Sequence, residues 1–269
     1  MTPDWHRIFP GSAHRFRMAL RPGDEASFWR TSDPTGIILA ERRRWLAQSP
    51  ELYTALLPEG ADSAHEALQH MAAMSGQRGL TIEDAAALLE PDWVILDADA
   101  RVLGGAVIFP SSWSLPEKLG LPLSEVHGPV PSLQASLGRS IATFLNRLEA
   151  RVAWERDNWG FSADAELNHH PSRPLPSLTN SATLHTTWLR FERQFLTRLP
   201  ATQAILFGIR VTNHRLDDLA ALPGMASRFA LTLETMEDDV ALYKGLHEAR
   251  ATLAAQLRAF TADETGSAP

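Results

Sequence analysis

Asp92-Trp93-Val94-Ile95-Leu96, then the polar turn Asp97-Ala98-Asp99-Ala100, then Val102-Leu103-Gly104-Gly105-Ala106-Val107-Ile108-Phe109 is the stretch that decides the fold. Val, Ile, Trp and Phe gathered in two short runs on either side of a turn predict a β-hairpin. The runs are apolar almost throughout, so both faces are expected to be buried and alternation does not fix the register. Gly104-Gly105 inside the second run predicts a bulge, not a phosphate cradle.

Working outward, residues 1–91 read as helices. Asp33-Pro34 offers an N-cap and a first-turn proline leading into Ile37–Gln48. Ser63 and Glu66 have capping-box spacing ahead of Leu68, Met71 and Met74, and Thr81 and Asp84 repeat it with a shorter acid. Arg42-Arg43-Arg44 reads as a solvated helix face. After the hairpin comes a Pro/Ser/Gly-rich connection, Pro110 to Ser132. Leu133, Leu137, Ile141, Phe144, Leu145 and Leu148 then recur at helical spacing, predicting an amphipathic helix that ends near Arg151. A second irregular segment spans Trp159 to Asn180. Leu184–Leu199 and Ala204–Thr212 read as strands, and the rest from Leu216 as helices, with fraying expected over Thr261–Pro269. The expectation is one α+β domain over 1–269: a helical N-terminal region over residues 1–91, an antiparallel-sheet core over 92–215 and C-terminal helices over 216–269.

Composition narrows the function. A net charge of -7 argues against a nucleic-acid surface, which needs concentrated Lys and Arg. No cysteine is present, which excludes disulfides, thiolate zinc, iron–sulfur ligation and thiolate-bound haem. Met1–Pro10 has no apolar run, and no stretch approaches the roughly 20 apolar residues of a membrane helix, so the chain is expected to be cytoplasmic and free of the membrane. No Walker A loop, dinucleotide fingerprint, nucleophile elbow or zincin helix occurs. Of the ten histidines, His6, His14, His65, His70 and His247 read as helix or terminal residues. His185 reads as a strand residue and His214 as a turn residue. His169-His170 is an adjacent loop pair. His127 differs: Val126-His127-Gly128-Pro129-Val130-Pro131 holds it on a proline-stiffened, apolar segment, which suits an axial iron ligand as well as an ordinary packed histidine.

Several separated motifs then converge. They are Trp113-Ser-Leu-Pro-Glu-Lys118-Leu-Gly120, Val126-His127-Gly-Pro-Val-Pro131, Arg156-Asp-Asn158-Trp159, Arg190-Phe-Glu192-Arg193-Gln194-Phe-Leu-Thr-Arg198-Leu-Pro200, Ala204-Ile-Leu-Phe-Gly-Ile-Arg210 and Tyr243-Lys244-Gly245-Leu246, with a further stretch around Trp29 and Asp33. In order and spacing the chain resembles the haem-dependent oxidative N-demethylase family. The resemblance implies a PAS-like core with extra N- and C-terminal helices and a b-type haem. It implies oxygen-dependent removal of a methyl group from a small secondary or tertiary amine such as dimethylamine, releasing formaldehyde. Electrons would come from NADPH through separate FMN and iron–sulfur (ferredoxin-type reductase) proteins. Carried onto this chain, it makes His127 the iron ligand. It makes Arg156, Arg190 and Arg193 candidates for the haem propionates, against the alternative of internal ion pairs, for example with Glu192. Trp113, Trp159 and Phe207 become candidates to line the haem, against ordinary core packing; the Arg156–Trp159 piece also reads as a structural turn. No distal catalytic group is assigned. A haem-binding or gas-sensing PAS-like protein without turnover is the alternative function.

Overall fold

In the computed structural model, which describes residues 3–266, the hairpin forms with its expected partners. It belongs to a seven-stranded antiparallel sheet. The strands are β1 (Arg21–Pro22), β2 (Thr54–Leu56), β3 (Asp92–Leu96), β4 (Val102–Ala106), β5 (Trp154–Ser162), β6 (Trp188–Arg198) and β7 (Ile205–Arg215). Their spatial order is β1-β5-β6-β7-β3-β4-β2. Without the two short outer strands, the five main strands lie in the order third-fourth-fifth-first-second, the arrangement of a PAS-like core. The fold is α+β, with helices added at both ends.

Every residue of β3 and β4 is buried, because both faces of the hairpin are covered. N-terminal helices pack on one face, placing Phe28, Trp29, Ala67 and Met71 against Trp93, Ile95, Phe195 and Leu206. The crossover from β4 to β5 covers the other face, bringing Leu115, Leu145 and Leu148 onto Val94, Leu96, Leu196 and Ile205. C-terminal helices close the far end of β5 to β7 around Phe161, Leu189, Phe191 and Phe229. The two glycines of β4 are set by close approach. A Cβ on Gly104 would stand 2.4 Å from the Ala55 carbonyl oxygen, and one on Gly105, at φ +151°, 2.1 Å from that of Trp93. The bulge lies beside them, at the register shift after Ile95.

Several local expectations are corrected. Arg156–Trp159 is not a turn: it lies in β5, whose polar residues meet partners on both faces, so the strand carries no apolar signature. Arg42 is not solvated but fully buried, paired with Asp92 at 2.6 Å and donating to the Ala86 and Glu90 carbonyls. Glu66 does not cap its own helix, which starts at Ala61; its carboxylate accepts from the Ala201 and Thr202 backbone amides instead. Asp33 does reach the following helix, through the Ile38 amide, but Gly36 is the N-cap residue. Thr81 and Asp84 form the capping box as expected. His185 lies in a short 3-10 turn beside Asp217, and His214 lies inside β7. The last helix runs Arg250–Gly266, and the end of the tail expected to fray, residues 267–269, lies outside those described. Among the described residues no helix is long and apolar enough to cross a membrane.

Candidate functional site

On the face of the sheet beneath the crossover, the strand registers set three rows side by side. Trp154, Leu196 and Phe207 form the first, Arg156, Gln194 and Ile209 the second, and Asn158, Glu192 and Val211 the third. Each row spans three strands, about 10 Å across. The cover is incomplete. Leu133, Leu137, Ile141 and Phe144, the apolar stripe of the crossover helix Leu133–Arg147, are only partly buried. A groove of about 470 Å³ runs along the exposed side of that helix beside Trp154, lined by Arg139, Ser140, Thr143, Phe144 and Arg147. This face therefore presents apolar surface that the described residues do not close.

His127 ends the short helix Leu123–Val126 within the crossover. Its backbone is pinned from both sides: its amide donates to Leu123 O at 3.0 Å and its carbonyl accepts from Val130 N at 3.0 Å. The neighbouring Val126 packs into the cluster that holds Trp113, Trp154 and Phe207. Burial, reinforced by the Arg156 charge, pushes the imidazole down to about 4. It is thus neutral at physiological pH, the state in which a ring nitrogen can bind a metal.

Arg156 is the cation that reaches His127. Its Nε is buried with no hydrogen-bond partner, and no carboxylate pairs with the guanidinium within ion-pair distance among the described residues. Burial lowers its pKa, opposed by the Glu192 and Asp157 charges. Buried guanidinium nitrogens are ordinarily paired, and here Nε is left free on a half-open face. Glu192 does not serve it directly. That buried carboxylate accepts from Ser111 Oγ, from Asn158 Nδ2 at 3.1 Å and from Gln194 Nε2 at 2.7 Å.

The other two arginines are differently placed. Arg190 spends its donors internally, Nε on Ser111 Oγ at 2.7 Å, Nη2 on Phe109 O at 2.7 Å and Nη1 on Glu166 O at 3.2 Å. Arg193 points to the opposite face of the sheet, where it grips Glu155 with two hydrogen bonds and lies over Phe28. Arg193 thus follows the internal ion-pair alternative, while Arg190 is held by a hydroxyl and carbonyls without a carboxylate in ion-pair distance among the described residues.

A model of the family described as haem-dependent oxidative N-demethylase, alpha subunit-like, matches residues 73–254, about two thirds of the chain. The chain belongs to that family. The family's name carries haem dependence and oxidative N-demethylation, and the matched span takes in the hairpin, the crossover, β5 to β7 and Lys244.

The residues of this N-demethylase-family chain fit a haem at the level of donor chemistry. There is a neutral histidine on a fixed backbone, an unpaired cation for a propionate, and an apolar bed between them. Phe207 and Trp113 lie in that bed, both packed against the cluster under the crossover. Trp159 does not. Its ring is on the other side of β5, 4.9 Å from that of Phe9. His169 and His170 do not converge on His127: His169 pairs with Asp164 at 3.1 Å, and His170 bonds Ser172. Among the described residues no group of three or more His, Asp or Glu side chains is arranged to hold a metal ion. Sequence reasoning did not single out Trp154, Asn158 or Gln194, since nothing in a one-dimensional pattern shows that they share a face with Arg156.

Proposed function

We propose that this chain is the haem-binding subunit of an oxidative N-demethylase acting on a small secondary or tertiary amine, with release of formaldehyde. His127 would hold the iron of a b-type haem under the crossover, and Arg156 would pair with one of its propionates. The observation that carries the reading is the pairing, on one half-covered apolar face, of a histidine held neutral with a buried guanidinium whose Nε has no protein partner.

A bound haem supplies the activation of dioxygen and the oxidation of the amine methyl. The chain supplies the rest. The hydrogen bonds on either side of His127 hold its backbone so that ligation costs little further ordering. Leu133, Leu137, Ile141 and Phe207 line the reacting face with apolar surface that suits an uncharged methyl group. The chain has no cysteine for an iron–sulfur cluster and no nucleotide fingerprint, so the NADPH, FMN and iron–sulfur chemistry belongs to partner proteins.

The test is turnover of haem-loaded protein with dimethylamine and trimethylamine, driven by a ferredoxin–reductase pair and assayed as formaldehyde released per NADPH consumed. Amine-dependent formaldehyde is expected. Ferrous protein that binds carbon monoxide yet releases no formaldehyde from either amine would replace the enzyme by a gas-binding PAS-like protein.

A further inference from the structure

Beside Arg156 the structure holds a second cation that the haem reading leaves unused. Lys244 follows the short helix Asp238–Tyr243, and its backbone is fixed: its amide donates to Val240 O at 2.9 Å, and Leu246 N donates to Ala241 O at 2.8 Å with the Leu246 side chain fully buried. β1 pairs only with Trp154 and Glu155, which leaves the outer edge of β5 free beyond them. There Lys244 Nζ donates to Trp159 O at 2.8 Å and lies 4.7 Å from the centre of the Trp159 ring. An ammonium has three donors, and this is the one hydrogen bond that Nζ makes among the described residues. No carboxylate among those residues pairs with it.

The charges around it do not balance. Glu192 is the carboxylate felt by Arg156, Arg190 and Lys244 alike. Its oxygens are already occupied by Ser111, Asn158 and Gln194. Asp157 is also felt by Arg156, but it is bound by Arg7 and Arg21 on the opposite face. Arg190 also has Asp92 and Asp164 nearby, which leaves Arg156 and Lys244 sharing one committed carboxylate. A group of like charges at low dielectric is stable when a ligand brings the missing anions.

We propose that Lys244 is a carboxylate-binding residue of this site, acting with Arg156 to hold the acidic groups of the molecule bound under the crossover. The inference rests on the reading of that face as a ligand site. Burial pushes Lys244 down to about 8, with Glu192 opposing the shift and Arg156 adding to it, so the amine is still mostly charged at neutral pH and a bound carboxylate would hold it so. Two carboxylate sources have the right chemistry: the haem propionates, and an acid group on the amine substrate itself, as in an N-methyl amino acid.

The experiment titrates apo-protein, as wild type, Lys244→Met and Lys244→Arg, with haem and with haem dimethyl ester, whose propionates are uncharged. The haem-loaded proteins are then titrated with dimethylamine and with N-methylglycine, read by the shift of the haem absorption. The expected result is about tenfold or greater loss of haem affinity in Lys244→Met, recovery in Lys244→Arg, and equal ester affinity in all three. Unchanged haem affinity, with loss of the N-methylglycine response alone, would assign the same carboxylate site to the substrate. Lys244→Met indistinguishable from wild type with all four ligands would overturn the proposal while leaving the haem site standing. Absence of any haem band in wild-type protein would overturn the reading of the site and the proposal with it.

Discussion

Arg156→Met should push apo-protein stability and haem affinity in opposite directions. In the apo-protein the Arg156 Nε is buried and unbonded. An unsatisfied buried donor costs about 1–3 kcal/mol, and methionine fills the space of the arginine stem without that cost. The apo-protein should therefore gain about 1–3 kcal/mol. For a domain of this size each kcal/mol is worth about 2–4 °C, so its Tm should rise by about 2–12 °C. Haem binding should weaken, because the variant loses a charge-assisted bond worth about 1.5–3 kcal/mol, or about ten- to a hundredfold in Kd. Circular-dichroism melts of apo-protein and spectroscopic haem titrations measure the two effects. Arg193→Met is the control: it breaks a two-pronged bond to Glu155 on the far face, so it should lower Tm and leave haem affinity unchanged. An Arg156→Met apo-protein less stable than wild type, with haem affinity within twofold, would refute the reasoning and make Arg156 a structural residue.

Arg42→Met should cost about 3–5 kcal/mol by urea denaturation, since it strands the buried Asp92 carboxylate; a loss below about 1 kcal/mol would show that the pair does not anchor the N-terminal helices. Gly105→Ala should prevent close pairing of β3 with β4, because the added carbon would meet the Trp93 carbonyl at 2.1 Å; soluble protein with wild-type Tm would contradict this. Acid should weaken the apo fold before the carboxylates titrate. His14 and His127 are both held near 4, by burial together with the Lys244 and Arg156 charges respectively, against 6.5 when unfolded. Between those values the unfolded chain binds more protons, so stability falls as pH drops from about 6.5 to 4. Urea midpoints across that range should show the slope, and His14→Gln should reduce it; a flat profile in wild type would count against the burial of both rings.

The elements visible in the sequence were those with a one-dimensional signature. The β3–β4 hairpin declared itself by composition, and the Leu133–Arg147 helix by the spacing of its apolar stripe. β5 did not, because it carries a run of polar residues, of which Asp157 and Asn158 find partners on opposite faces of the sheet and the Arg156 Nε finds none. Arg42 and Glu66 were misread for a related reason: each bonds a segment far along the chain, Asp92 in one case and Thr202 in the other. At the site, the proline-stiffened segment pointed to His127, and family motifs pointed to the arginines. Which arginine is free depends on whether carbonyls or carboxylates meet it in space. Arg190 and Arg193 meet them and Arg156 does not, and no spacing rule encodes that difference.

The central claim is that His127 holds a haem under the crossover. Its most direct test is the absorption spectrum of haem-supplemented protein, wild type beside His127→Ala, before and after reduction, with far-ultraviolet circular dichroism showing that both are folded. The account predicts a Soret band in the wild type that shifts or vanishes in the folded variant. The same band in both proteins, or none in either, would contradict it.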